Sequence, residues 1–174
     1  MTMTTDTPLS IRCFEAGDTD TVVALWQEAF PEYRDVTRPQ RNPHLSIANK
    51  MATQPELFFV AELDGHLVGT VMAGYDGHRG WMYSLAVDMA YRRHGLGTRL
   101  VAHAEAALTA RGCPKVNLQV LSGKDDIRGF YEALGYRADA VISLGKRLGE
   151  FADAASSGPD AAGAVETTSS HSAA

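Results

Sequence analysis

From Tyr91 to Thr98 the chain reads YRRHGLGT, which places Arg92, Arg93 and His94 directly before Gly95 and Gly97. An apolar pattern at helical spacing follows, with Leu96, Leu100, Ala104 and Leu108 on one face and Gly112 and Pro114 as a stop signal. The first N–H groups of any helix lack intrahelical partners, and the helix dipole adds about half a positive charge there. Gly95 and Gly97 keep side chains away from those donors, while Arg92 and Arg93 add full charges beside them. The backbone of His94, Gly95, Leu96, Gly97 and Thr98 is therefore predicted to cradle an anion such as a phosphate. The loop lacks the Lys-Ser/Thr ending of a P-loop and the three-glycine spacing of a dinucleotide fold, which weakens both of those readings. Taken alone, two glycines also suit a plain capped helix with a solvated, charged approach.

Other residue types that could do chemistry are sparse. Asp76 and His78 have the makings of a base with an orienting carboxylate. They sit in YDGHRG, however, where Asp-Gly and Arg-Gly are ordinary turn material. Cys13 and Cys113 are too few for a disulfide framework and lack metal-ligand spacing, so reduced thiols are expected and no metal site.

The elements around the loop are legible from periodicity. Leu9 to Phe14 alternates as a short strand, and Asp18 can cap a helix carrying Val22, Val23, Leu25, Trp26 and Phe30, with Pro31 and Pro39 ending that region. His44 to Ala52 reads as a second helix. Leu57 to Leu63 and Leu67 to Tyr75 flank Asp64-Gly65-His66, a hairpin signal, and Trp81 to Val87 completes a meander. After the helix that begins near Gly95, Val116 to Leu121 is the next strand, parallel to Trp81–Val87 by the crossover rule. Asp125 or Asp126 can cap a helix bearing Ile127, Phe130, Tyr131 and Leu134, and a last apolar stretch surrounds Val141 to Leu144. The expected fold is α/β in the α+β sense: a mixed, mostly antiparallel sheet flanked by about four helices.

With 174 residues, one domain is expected, spanning residues 10–150 between a flexible N-terminus at 1–9 and a disordered tail at 151–174 rich in Ala, Ser and Thr. The net charge is -5, and removing the three acids of the last 24 residues leaves -2. No basic field recommends nucleic acid. No apolar run approaches the roughly 20 residues of a membrane span, and MTMTTDTPLS is not a signal peptide, so a cytoplasmic protein is expected. The late strands could pair across a homodimer, although nothing in the pattern requires it.

The succession of SLAV, Arg92-x-x-Gly95-x-Gly97, a long helix, a strand and then Phe130-Tyr131-Glu132-Ala133-Leu134-Gly135-Tyr136 resembles the GNAT superfamily of acyl-CoA-dependent N-acyltransferases. The resemblance covers roughly Ser10 to Leu148. GTVMAGYDGHRG, ARGCPK and LGKRL are similar, more narrowly, to the bacterial YpeA-type acetyltransferases. It implies that the loop backbone holds the diphosphate of acetyl-CoA, as co-substrate, and that Leu85, Ala86 and Val87 pair with the pantetheine arm. Physics is consistent with both, since amide-bearing pantetheine can add to a strand edge and open sheets place ligands at the carboxyl ends of strands.

The resemblance also makes Tyr131 the catalytic candidate, stabilising the leaving thiolate; the residue alone reads equally as a core tyrosine. At ordinary values, proton transfer from tyrosine to a thiolate runs uphill by about 2 kcal/mol, so a hydrogen bond to sulfur is the expected role. Members acting on protein N-termini often carry a glutamate where this chain has Gln119, which cannot accept a proton. Where many members have an asparagine that contacts pantetheine, this chain has Lys124. His78 is a poor replacement base, because seven extended residues separate it from Leu85 by about 23 Å. Deprotonating a lysine-like amine at pH 7 costs about 4.6 kcal/mol, against roughly 1 to 1.4 for an α-amine, so a site without a strong base should favour the latter or must deliver the proton through ordered water. Tyr83 and Trp81 share one side of their strand and could line the acceptor channel, and Glu62 is a further polar candidate. The implied function is an N-acetyltransferase acting by direct attack of a primary amine of a small molecule, peptide or protein. The alternative is a non-catalytic acyl-CoA-binding regulatory module.

Overall fold

A computed structural model of the chain describes residues 9–34 and 41–149. Pro39 and the two terminal segments expected to be flexible or disordered, save Leu9 at the end of the first, lie outside the described residues. By compactness the chain divides after Asp139.

The first unit holds a five-stranded sheet in sequential order, from β1 (Ser10–Cys13) through β2 (Phe58–Leu63), β3 (His66–Tyr75) and β4 (Gly80–Val87) to β5 (Val116–Asn117). The first three pairings are antiparallel and the last is parallel, as the crossover rule requires. Asp64 and Gly65 both take positive φ, 52° and 75°, which is the backbone twist that closes a two-residue hairpin between Leu63 and His66.

Helix α1 (Thr19–Ala29) and helix α2 (Pro43–Thr53) cover one face of the sheet, and α3 (Leu96–Thr109) covers the other. Side-chain alternation on β2 separates the two cores: Phe58 and Val60 join Val22, Trp26 and Ile47, while Phe59 and Ala61 join Leu100, Ala104 and Leu108. A fourth helix, α4 (Asp125–Ala133), follows β5. Among the described residues no helix is long and apolar enough to cross a membrane.

Several sequence expectations are corrected. Asp18 occupies the N-cap position of α1, as expected, but its side chain caps no N–H of that helix. Its carboxylate accepts the Glu15 N–H at 2.8 Å and two Arg12 bonds at 2.7 and 2.9 Å, and Arg12 holds it well below the usual carboxylate range. Arg12 also binds Glu62 at 3.0 and 3.1 Å, so Glu62 is occupied in tying β1 to β2. Neither Asp125 nor Asp126 is the cap of α4; Lys124 is, and both carboxylates lie in the first turn, where the positive end of the dipole favours them. The strand expected over Val116 to Leu121 stops at Asn117, because only Gly80 and Trp81 of β4 pair with it. The stretch around Val141 to Leu144, in the second unit, forms no strand: Val141, Ile142 and Leu144 are exposed and carry no ladder partner.

Candidate active site

The short reach of β5 leaves most of one edge of β4 open. From Met82 to Val87 that edge has no strand beside it among the described residues, while the opposite edge remains paired with β3 as far as Val87. The pairing with β3 is itself interrupted. Thr70 faces Ala86 and Met72 faces Tyr83, so Val71 alone opposes both Ser84 and Leu85. This is a β-bulge, and Ser84 takes φ 52° within it. Leu85, Ala86 and Val87 follow the bulge and run directly toward the glycine loop.

That loop is built by short-range contacts. Asp88 Oδ1 accepts the Ala90 N–H at 2.8 Å and starts a 3-10 turn over Met89–Tyr91. Arg92 Nε donates back to Val87 O at 3.1 Å, which anchors that exposed cation at the end of β4. Arg93, at φ 65°, and Gly95, at φ 76°, are both left-handed. Such a conformation costs glycine little and a side-chain-bearing residue about 1–2 kcal/mol. The first helical bond of α3 runs from Arg99 N–H to Gly95 O, so the N–H groups of Leu96, Gly97 and Thr98 precede the ladder. His94 is exposed, and its Nδ1 lies 3.4 Å from Tyr91 O.

The two glycines do different work. A Cβ on Gly95 would meet nothing within 4 Å, so that position needs glycine for its backbone conformation. A Cβ on Gly97 would lie 3.3 Å from Phe130 Cζ and 3.9 Å from Val87 Cγ2. A side chain at Gly97 would press on the Phe130 ring, so Gly97 also serves packing, which qualifies the expectation that it merely clears space for an anion. The same contact seats α4 beside the start of α3.

Tyr131 follows Phe130 on α4 and packs edge-to-face on it and on Tyr136, with ring centroids 5.0 and 5.5 Å away. Burial pushes its hydroxyl up to about 12. Against a thiolate near 8.5, direct proton transfer would then run uphill by about 5 kcal/mol, more than the ordinary value implies. Tyr136 is engaged elsewhere, donating to Glu105 Oε1 at 2.7 Å.

On the opposite side of the candidate site, Trp81 and Tyr83 are 36% and 42% exposed, so they are not core aromatics. They alternate onto the face shared with α2. Lys50 of α2, only 4% exposed, donates to Ala73 O and places its Nζ 5.8 Å from the centroid of the Tyr83 ring. Desolvation brings the Lys50 ammonium down to about 8. Nearby, Gln54 Nε2 donates to Tyr75 O at 2.8 Å and Gln54 Oε1 accepts the Tyr75 N–H at 3.1 Å. The pairing of β2 with β3 runs out at Met72, and α2 side chains take over from there. Lys50 was readable as an anomaly, since Pro43, Ile47 and Lys50 share one buried helical stripe.

The structure does not bring all sequence candidates together. Gln119 is exposed and lies beyond β5, off any strand. Lys124 is exposed, with its carbonyl accepting Arg128 N–H at 3.0 Å. Asp76 Oδ1 accepts the N–H groups of His78 and Arg79 at 2.7 and 2.6 Å, and these bonds hold its carboxyl below the usual range. The Asp76 carboxylate is spent on its turn, and among the described residues no hydrogen bond from it orients the His78 imidazole.

The sequence profile of the Acetyltransferase (GNAT) family matches residues 19–136. An acetyltransferase from Yersinia pestis (strain Pestoides F) is 44% identical over 140 residues, covering 80% of this chain and 96% of its own length. Among solved structures, Ard1 from Thermoplasma volcanium is similar with a TM-score of 0.67 and 26% identity, covering 76% of this chain and 84% of that one. The PaiA N-acetyltransferase from Thermoplasma acidophilum, in complex with coenzyme A, is similar in fold with a TM-score of 0.66 and 18% identity, covering 78% of this chain and 93% of that one.

Proposed function

The chain belongs to the GNAT acetyltransferase family and uses acetyl-CoA as co-substrate, and from that premise we propose how its residues divide the work and which amine it takes. The observation that carries the proposal is the open edge of β4 running into the N-terminus of α3. The pantetheine arm adds to Leu85, Ala86 and Val87 as a strand would. The diphosphate rests on the N–H groups from His94 through Thr98, with Arg92 and Arg93 beside it. PaiA's complex with coenzyme A supports this placement by likeness of fold.

The acetyl group then lies near Leu85, with Tyr131 as hydrogen-bond donor to the departing sulfur. The amine approaches across the face that carries Trp81 and Tyr83, attacks the thioester carbon and expels the thiolate. It must arrive neutral. Gln119 is a neutral amide and His78 lies far along the chain from Leu85, so neither takes its proton; an amine of low pKa, such as an α-amine, is favoured over a lysine side chain, and the proton shed on attack ends on the thiolate or in water. No acyl-enzyme is involved, and the reaction is assigned to the cytoplasm.

A thiol-release assay over a panel of α-amines, lysine-like amines and low-pKa small amines tests this reading. Faster release with the low-pKa amines is the expected result. A clear preference for lysine side chains would refute the acceptor assignment, and coenzyme A binding without release from any amine would refute catalysis.

A further inference from the structure

Two polar contacts beneath β4 belong to neither the loop nor Tyr131. Trp26 of α1 and Thr70 of β3 are both fully buried, and Thr70 is one of two buried polar or charged residues in the described core. Trp26 Nε1 donates to Thr70 Oγ1 at 2.8 Å, and Thr70 Oγ1 donates onward to Ser84 O at 3.1 Å. The direction of this relay is forced by chemistry. An indole N–H can only donate, a carbonyl can only accept, and the hydroxyl has a single proton to give.

The relay ends at the residue where the β4 backbone departs from a regular strand. Ser84 is left-handed at φ 52°, inside the bulge opposite Val71. A non-glycine residue keeps such a conformation only where its surroundings over-determine it. Peptide planarity then carries the effect along the chain. A Ser84 carbonyl held toward Thr70 turns the N–H of Leu85 to the other side of the same peptide plane.

We propose that Trp26 and Thr70 are positioning residues for acyl-CoA, setting the Ser84–Leu85 peptide and hence the direction of the backbone groups along Leu85, Ala86 and Val87 that the pantetheine arm meets. Neither residue touches the ligand. The inference rests on the acetyl-CoA reading above, and it separates two parts of one ligand: the pantetheine arm depends on the relay, whereas the diphosphate cradle at α3 does not.

Calorimetric titration with coenzyme A and with ADP, which has the diphosphate but no pantetheine arm, tests it. Thr70→Val keeps the shape and removes the hydroxyl. It should weaken coenzyme A about tenfold and leave ADP within about twofold. Thr70→Ser, which restores the hydroxyl, should return coenzyme A affinity to within about twofold of the parent. Trp26→Phe, which removes the donor that orients the hydroxyl and also some buried volume, should weaken coenzyme A about threefold and leave ADP within about twofold. In turnover assays the KM for acetyl-CoA should rise with Thr70→Val and Trp26→Phe while that for the amine stays put.

Unchanged coenzyme A affinity in Thr70→Val, equal losses of coenzyme A and ADP, or failure of Thr70→Ser to rescue would each overturn the relay. Should Thr70→Val not fold, a Trp26→Phe protein with parental coenzyme A affinity would overturn it instead. Failure of the parent protein itself to bind coenzyme A would overturn the reading beneath it, and that outcome is distinct from the others.

Discussion

At its carboxyl end β4 runs into the loop of Arg92 to Thr98, which offers backbone donors; at its amino end it carries Trp81 and Tyr83 on the α2 side of the sheet, where side chains dominate. The first region is shaped by local requirements: a left-handed Gly95, a close contact at Gly97, and a helix start that would exist in any helix. The second depends on where β2 stops and on which α2 side chains then reach β3. In the function proposed above, the backbone region serves the acetyl-CoA that a family shares, and the side-chain region is where one acceptor is told from another.

The contrast should break first at Lys50. Its ammonium sits at about 8 in the folded protein against 10.5 when exposed. Between those values the unfolded chain binds the proton and the folded chain does not, so stability rises with pH from about 8 toward 10.5, and the full penalty is present below 8. Lys50→Met removes that dependence. Urea midpoints at pH 7, 8.5 and 9.5 should show the parent gaining on the variant by about 2 kcal/mol across that range; parallel profiles would mean that Lys50 stays charged without cost.

In the loop, Gly97→Val forces methyl groups against Phe130, and the expected loss is about 1–3 kcal/mol of stability, read as a lower melting temperature. An unaffected melting temperature would return Gly97 to the simpler role of clearing space for a phosphate. Tyr131→Phe comes next, with turnover reduced about tenfold, equivalent to about 1.4 kcal/mol, and acetyl-CoA affinity largely spared. Unchanged turnover would leave Tyr131 as a packing residue. Smallest is Asp76→Ala: its carboxylate serves its own turn, so turnover should remain within about twofold in a kinetic assay.

Legibility in the sequence follows the same division. Helices α1 to α3, the hairpin at Asp64-Gly65 and the parallel crossover were all readable because periodicity and turn chemistry act over a few residues. The glycine loop and the helix start behind it were readable for the same reason. The length of β5 was not, since Val116 to Leu121 is a good strand by composition and only its divergence from β4 cuts it short. Nor was the bulge at Ser84. Nothing in SLAV marks a left-handed serine, whose carbonyl accepts from a hydroxyl fourteen residues earlier that an indole on another element also contacts. Lys50 lay between these cases, visible as a cation on an apolar stripe but interpretable only once Ala73 and Tyr83 were seen beside it.

The central claim is that acetyl-CoA lies along the open edge of β4 with its diphosphate on the start of α3. Residue-resolved amide hydrogen exchange, with and without coenzyme A, tests it most directly. Protection should appear at the open-edge amides within Leu85 to Val87 and at Leu96, Gly97 and Thr98. Saturating coenzyme A that protects other amides and leaves these unchanged would contradict the account.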